Sequence, residues 1–458
     1  MNAGGTDPAR GDAPALVHAI GLPRATAMVI GTIIGASIFV QPSLVSGAMP
    51  STGGVLLVWA VSGFLTLIGA LVCAELASAF PRTGGVYVFL REAYSPAVAY
   101  VWGWAMFWVM HSGIIAAIAM VFARYVGQFM VLGDVGTRLT GAGAILVLSA
   151  VNYVGVRHGS ALQTFFTAIK LVAIAAIVVL GIAWVIAHGS PTLSPIESHQ
   201  SSGTSQIGSF ITATMAGLFA YGGWHMVTYA AEETHDAVRT IPRALFIGTA
   251  IVTVAYIAVN AAYLAVLPIE TVTASPRVAA DFADAVIGSG GGSALSALVI
   301  CSTLGAMTGI LLAGPRVYLA MAQDGLLFAW AGAVHPRYRT PHVAIVMQGV
   351  WSAVLVLTGS YRVLFTRVVY TEWIFFALMA AGLFVLRRRP GYAPAYRAWG
   401  HPILPAIFVV SSAAIVAHQV ATEPAESLSG LALVAAGLPV YWLWTRRTQR
   451  TQSNRSDP

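Results

Sequence analysis

Charged side chains are scarce in this 458-residue chain: Asp, Glu, Lys and Arg together make up 9% of it, against about 25% in an ordinary soluble domain. Hydrophobic residues make up 57%. So little polar surface could not cover so large an apolar core, which excludes a water-soluble fold. The distribution is sharper than the average. No charged residue occurs between Arg24 and Glu75, Arg138 and Arg157, Lys170 and Glu197, Glu197 and Glu232, Arg243 and Glu270, or Asp284 and Arg316. Crossing hydrocarbon takes about 20 apolar residues, so each gap holds one or two membrane spans.

Other absences narrow the function. Lysine occurs once, as Lys170 after Ile169, so no Walker phosphate loop can form. No His-Glu-x-x-His zinc motif is present, and nothing else marks an enzyme. Repeated filter loops and rings of charge, the marks of a channel, are missing too. The two cysteines, Cys73 and Cys301, both fall in apolar stretches, which excludes an extracellular disulfide framework. Residues 1–21 lack the basic start, short apolar stretch and cleavage site of a secretory signal, so the first apolar stretch reads as a retained span. A net charge of +7 could mean nucleic acid. The arginines instead cluster in alternate loops, as retention of positive charge on the cytoplasmic side predicts. No nucleic-acid partner and no cofactor are expected.

What is present reads as an all-α integral membrane protein of about twelve spans. They are expected at 25–46, 53–79, 97–125, 141–156, 160–187, 207–231, 243–267, 294–322, 342–358, 364–386, 403–421 and 428–444. Arg82, Arg91, Arg157, Arg239, Arg243, Arg337, Arg339, Arg387, Arg388, Arg389 and Arg397 follow even-numbered spans, and Arg446, Arg447, Arg450 and Arg455 follow the last. The opposite loops hold only Arg138, Arg277 and Arg362 or Arg367. Both termini are therefore expected in the cytoplasm. An arginine-rich composition with abundant Ala and Gly points to a bacterial gene, hence to the inner membrane.

Spans 1 and 6 share an anomaly. Gly31-Thr32-Ile33-Ile34-Gly35-Ala36-Ser37-Ile38-Phe39 precedes Pro42 in the first, and Gly217-Leu218-Phe219-Ala220-Tyr221-Gly222-Gly223-Trp224 lies in the sixth. Glycine weakens a helix by roughly 1 kcal/mol relative to alanine, and unpaired backbone in hydrocarbon costs several kcal/mol. Two weak points at matching places mark an inverted-repeat transporter. The alternative is close helix packing through small residues, which Gly31 and Gly35 also fit. If both helices unwind, free N–H groups of one and free carbonyls of the other meet at one depth. A zwitterion needs that pair of partners.

These residues carry a resemblance. GTIIGASIFV (31–40), AELASAFPRTGGVYVFLREAY (74–94), GLFAYGGW (217–224) with Glu232-Glu233 after it, RTIPRAL (239–245) and the stretch from Arg316 to Gly325 resemble, in order, the amino acid–polyamine–organocation transporters. The nearest branch is the L-type amino acid transporters and their bacterial relatives. The resemblance implies a LeuT-type fold: a tail at 1–24, a five-helix repeat at 25–187, an outer loop at 188–206, an inverted repeat at 207–386, two further helices at 387–445 and a tail at 446–458. It implies that a substrate carboxylate meets the backbone at Gly35, Ala36 and Ser37. The amino group meets the carbonyls of Ile33, Phe219, Ala220 and Gly222, and the Phe219 ring closes over the solute. Relatives commonly read Gly-Ser-Gly where this chain has Gly35-Ala36-Ser37, and animal members often have Asn at the place of His225. Animal L-type members bind a heavy chain through a cysteine after span 3. The loop Val131 to Thr140 has none, so no covalent heavy-chain partner is expected.

Several charged or titratable groups lie inside predicted spans. Lys170 sits about 15 Å into span 5, where an ammonium is a functional candidate by default. By resemblance it takes the place of a sodium ion and contacts broken span 1 and Ser302. Glu372 in span 10 is either a proton carrier or a structural acid. His225 and His111 either line the substrate cavity or satisfy a nearby carbonyl. Glu75 and Arg82 read as parts of a cytoplasmic gate. Neither break holds an acidic side chain to welcome a cation. The expected function is a sodium-independent exchanger of neutral L-amino acids. The alternatives are proton symport of amino acids or transport of polyamines and other organic cations.

Overall fold

The structure, a computed structural model, describes residues 18–35, 37–189, 206–288, 290–358 and 361–456. Of the expectations above, Ala36 and most of the 1–24 tail and 188–206 loop lie outside the described residues.

Among the described residues the regular structure is all helix, with no strand and only a single backbone bridge between Ile20 and Thr234. Hydrocarbon offers no water to an open backbone group, so helix is what an apolar segment must form. Nine described helices are long and apolar enough to cross a bilayer. They are span 2 (Thr52–Ala79), span 3 (Pro96–Val126), span 4 (Asp134–Val154), span 5 (Val156–His188), span 7 (Ala237–Val266), span 8 (Gly291–Gln323), span 10 (Tyr361–Arg387), span 11 (Ile403–Thr422) and span 12 (Pro424–Arg446). Span 9, His342–Thr358, is shorter. Spans 1 and 6 come in two pieces, Leu22–Ile33 with Gln41–Ala48, and Gln206–Ala220 with Trp224–Glu233.

The count agrees with the sequence, but details differ. Span 4 starts at Asp134, where an acidic residue in the first turn suits the helix dipole, rather than at 141. Short helices absent from the sequence reading follow span 2 (Val86–Ala93) and span 7 (Ile269–Ala274 and Val278–Ile287). They are too short to register in a window sized for a bilayer. Each half of the first ten spans thus opens with a broken helix and inserts short helices between its second and third members. The insertions lie at opposite ends of the bundle. Val86–Ala93 is tied by Arg91 to Asp324 beyond span 8, while Arg277 bonds Gln128 beyond span 3. That is the order expected of two inverted five-span repeats followed by two added helices.

Burial identifies the centre. In span 3, 83% of the most apolar window is buried, and in span 8, 72%, against 17–28% in spans 4, 5, 11 and 12. Spans 3 and 8 pack on one another, with the first piece of span 1 against spans 7, 5 and 8. The outer helices instead offer lipid the apolar side chains that hydrocarbon requires, such as Val172, Val179 and Val410. Both described chain ends lie at the same end of the bundle. The Ala19 and Ile20 amides bond the Glu233 carbonyl, and Trp444 Nε1 bonds the Gly325 carbonyl.

Candidate functional site

Span 1 leaves the helix at Ile34, whose ψ of 86° turns the chain out. It passes Gly35, makes one tight turn at Ser37–Phe39 and resumes as helix at Gln41. Span 6 stops at Ala220, turns through Tyr221 to Gly223 and continues as a tight helix from Trp224. Gly223 has φ +97°, a conformation that glycine adopts without a side-chain clash.

The two breaks touch. The Thr32 hydroxyl lies 3.1 Å from the Gly223 carbonyl oxygen and 2.7 Å from that of Met28, its single proton shared between them. Tyr256, from span 7, reaches both breaks at once: its hydroxyl lies 3.0 Å from the Ile33 carbonyl and 3.1 Å from that of Ala220. Ile33, Ala220, Phe219, Ser37 and Tyr256 are all buried. Span 3 forms one wall. A side chain at Gly35 would meet Ile118, and one at Gly222 would meet Ile114.

Backbone accounting explains the lysine. In an unbroken helix the Gly35 amide would bond the Gly31 carbonyl. It bonds the Ile33 carbonyl instead, at 2.7 Å. The stranded Gly31 oxygen accepts from Lys170 Nζ at 2.9 Å, with Lys170 1% exposed. A buried polar group without a partner costs about 1–3 kcal/mol, and the ammonium removes that cost. Ser302 bonds the Gly35 carbonyl at 3.4 Å, one turn of backbone further along, so lysine and serine take different carbonyls of the same break.

The sequence candidates divide into two groups. Ile33, Gly35, Phe219, Ala220 and Gly222 gather at the crossing with Lys170 and Ser302 beside them. His225, about one turn beyond the break in span 6, lies with His111 and Glu372. The donor and acceptor atoms of these three fall within 4.8 Å of one another. Glu75 accepts two bonds from Arg387 and one each from the Tyr392 hydroxyl and the Ala398 amide, and Arg82 pairs with Glu92 at 2.7 Å. At the same end Glu233 and Arg316 form a bidentate pair, 2.5 and 2.9 Å, at 0% and 1% exposure. An apolar groove of about 410 Å³ between spans 1, 5 and 7 is lined by Leu22, Ala27, Ile30 and Leu171, away from the crossing.

Sequence relationships now decide the family. The sequence model described as amino acid permease matches residues 20–440. The chain belongs to the amino acid permease family. This permease is 31% identical over 438 residues to the human large neutral amino acids transporter small subunit 2, covering 94% of the chain and 81% of that protein. It is 30% identical over 452 residues to the mouse b(0,+)-type amino acid transporter 1, covering 94% and 90%. It is 31% identical over 432 residues to the serine/threonine exchanger SteT of Bacillus subtilis (strain 168), covering 93% and 97%. These relatives are named as transporters, and the permease is a multi-span membrane protein like them. Sequence reasoning did not find two of its central residues, Thr32 and Tyr256. A hydroxyl in an apolar span looks like any other half-polar core residue until its partners are known.

Proposed function

We propose that this permease exchanges neutral L-amino acids across a bacterial inner membrane by alternating access, without sodium. One observation carries the reading: two interrupted helices meet in the buried centre and leave main-chain groups there outside any helical ladder. The carboxylate is assigned to the backbone of the Gly35-Ala36-Ser37 segment; Ser37 opens the tight turn that leads into the second piece of span 1, whose helix dipole favours negative charge. The carbonyls of Ile33, Phe219, Ala220 and Gly222 end the first pieces of their spans and favour an ammonium. A carbonyl has two lone pairs, so sharing the one Tyr256 proton leaves Ala220 able to accept another bond, whereas Ile33 already accepts from the Gly35 amide as well. Phe219 closes the solute from outside, and His225 faces its side chain.

Sodium independence rests on Lys170. Its ammonium holds the Gly31 carbonyl beside the bond from Ser302 to Gly35, so a fixed cation stands where a mobile one would otherwise be drawn. Lys170 and Ser302 then couple the state of span 1 to spans 5 and 8, and Glu372 responds from span 10. Both termini face the cytoplasm, by the loop arginines, and the chain works without a covalent heavy chain because the loop after span 3 has no cysteine.

Purified protein in liposomes tests this with labelled amino acids, with and without internal amino acid, under imposed sodium or proton gradients. Uptake that requires internal neutral amino acid and ignores sodium is expected. Acceleration by an inward proton gradient without internal substrate would replace exchange by symport. Movement of a polyamine but no amino acid would overturn the substrate assignment.

A further inference from the structure

We propose that His111, His225 and Glu372 form a binding site for one divalent transition-metal ion of the zinc class. The site goes beyond the amino acid reading and does not rest on it. Three different spans supply the three side chains. His111 follows directly on a π turn at Met106–Met110 in span 3, a local widening that often marks a functional position in a helix. His225 is the second residue after the left-handed Gly223 in span 6, and Glu372 comes from span 10. Each contributes one ligand atom to a group whose members all lie within 4.8 Å of one another.

Burial and bonding argue that something sits between them. His111 and His225 are 0% exposed and Glu372 4%. Both nitrogens of both imidazoles and Oε1 of Glu372 have no hydrogen-bond partner. Among the described residues no lysine or arginine pairs with Glu372. A buried carboxylate and two buried imidazoles, within 4.8 Å of one another and with these atoms unbonded, can each give one lone pair to a shared ion. Phe376 and Tyr229 wall the cluster, with ring centroids 4.8 and 5.4 Å from that of His225.

The donor set selects the ion. Two imidazoles and a carboxylate suit zinc, cobalt, nickel or ferrous iron, and suit calcium, magnesium or sodium poorly. Ligand atoms around tetrahedral zinc lie about 3.3 Å apart, so binding would draw the three side chains inward by roughly an ångström. Three protein ligands leave a fourth position open to water or to a donor atom of a bound solute. An ion held in this way ties spans 3, 6 and 10 together at one point, so it should also slow any motion in which they separate.

Zinc chloride alone is the probe, with no amino acid present, so the result is independent of transport. Protein in detergent is equilibrated with micromolar zinc, separated by gel filtration and analysed for metal. About one tightly held zinc per chain is expected, with at least a tenfold loss of affinity in His111→Ala, His225→Ala and Glu372→Gln. Cobalt in place of zinc should give the visible absorption of a four- or five-coordinate site. His335→Ala controls for the His335–His342 pair, whose rings lie 5.2 Å apart, and should keep the zinc. Each variant is first checked for a single gel-filtration peak and an unchanged melting curve. If His225→Ala or His111→Ala fails that check, the cobalt spectrum of the unmodified protein decides alone, and absence of the absorption overturns the site. The proposal is also overturned if wild-type protein holds no stoichiometric zinc, if zinc survives in His225→Ala, or if that variant changes amino acid preference while the unmodified protein binds no metal.

Discussion

Thr32 and Gly223 hold the two broken helices against each other. The threonine hydroxyl lies 3.1 Å from the Gly223 carbonyl, and a Cβ built on Gly223 would stand 2.9 Å from the Thr32 carbonyl oxygen. The glycine is required twice, by its φ of +97° and by this close approach of backbone. An L-residue in the left-handed region costs roughly 1–2 kcal/mol, and a backbone oxygen cannot swing aside as a side-chain end can. Gly223→Ala should therefore separate the breaks, lowering amino acid uptake in liposomes more than tenfold and lowering the melting temperature. Gly53→Ala, at a site with nothing within 4 Å, should leave both unchanged.

Tyr256→Phe removes one hydroxyl and nothing else. That hydroxyl is the only side-chain group bonded to a carbonyl of each break, Ile33 and Ala220, among the described contacts. A net hydrogen bond contributes about 0.5–1.5 kcal/mol, so KM for uptake should rise roughly twofold to tenfold while protein yield holds. An unchanged KM would mean that the tyrosine packs between the spans without setting their geometry.

The spans and their breaks were legible because hydrocarbon imposes blunt rules: long charge-free runs must be helices, and glycine clusters within them mark weak points. Lys170 stood out because an ammonium in an apolar span needs a reason. What its reason is could not be read off, since the stranded Gly31 carbonyl exists only after the Gly35 amide turns back to Ile33. Tyr256 was invisible for a related cause. Its two partners are backbone atoms 223 and 36 residues away in sequence, and backbone has no sequence signature. The gathering of His111 with His225 and Glu372 likewise depends on how three separate helices are rotated, which a flat hydrophobic pattern around each of them does not fix.

Lys170→Ala leaves the Gly31 carbonyl buried without its partner and removes the fixed cation between spans 1, 5 and 8. The protein should insert and purify as a single species, because the lost bond costs only about 1–3 kcal/mol. Uptake should fall at least tenfold. Full-rate transport by a well-folded Lys170→Ala protein would refute the coupling role. If sodium newly stimulates the variant, the lysine stands in for that ion.

Glu233 and Arg316 give the last prediction, at the arginine-bearing end of the bundle. The pair is bidentate and fully buried, and the same guanidinium also bonds the Leu312 carbonyl of its own helix. Losing one partner of such a pair strands a charge, at about 3–5 kcal/mol, whereas replacing both by apolar residues is often neutral. Glu233→Leu and Arg316→Met should each lower the melting temperature in detergent, and the double variant should recover much of the loss. The Glu233 carbonyl also receives the Ala19 and Ile20 amides, so a shift of this residue loosens the segment leading into span 1. Single variants should therefore also become more sensitive to protease before residue 22, and the double variant less so. Strictly additive losses in the double variant would show that the two side chains act separately and that the pair does not latch this end of the bundle.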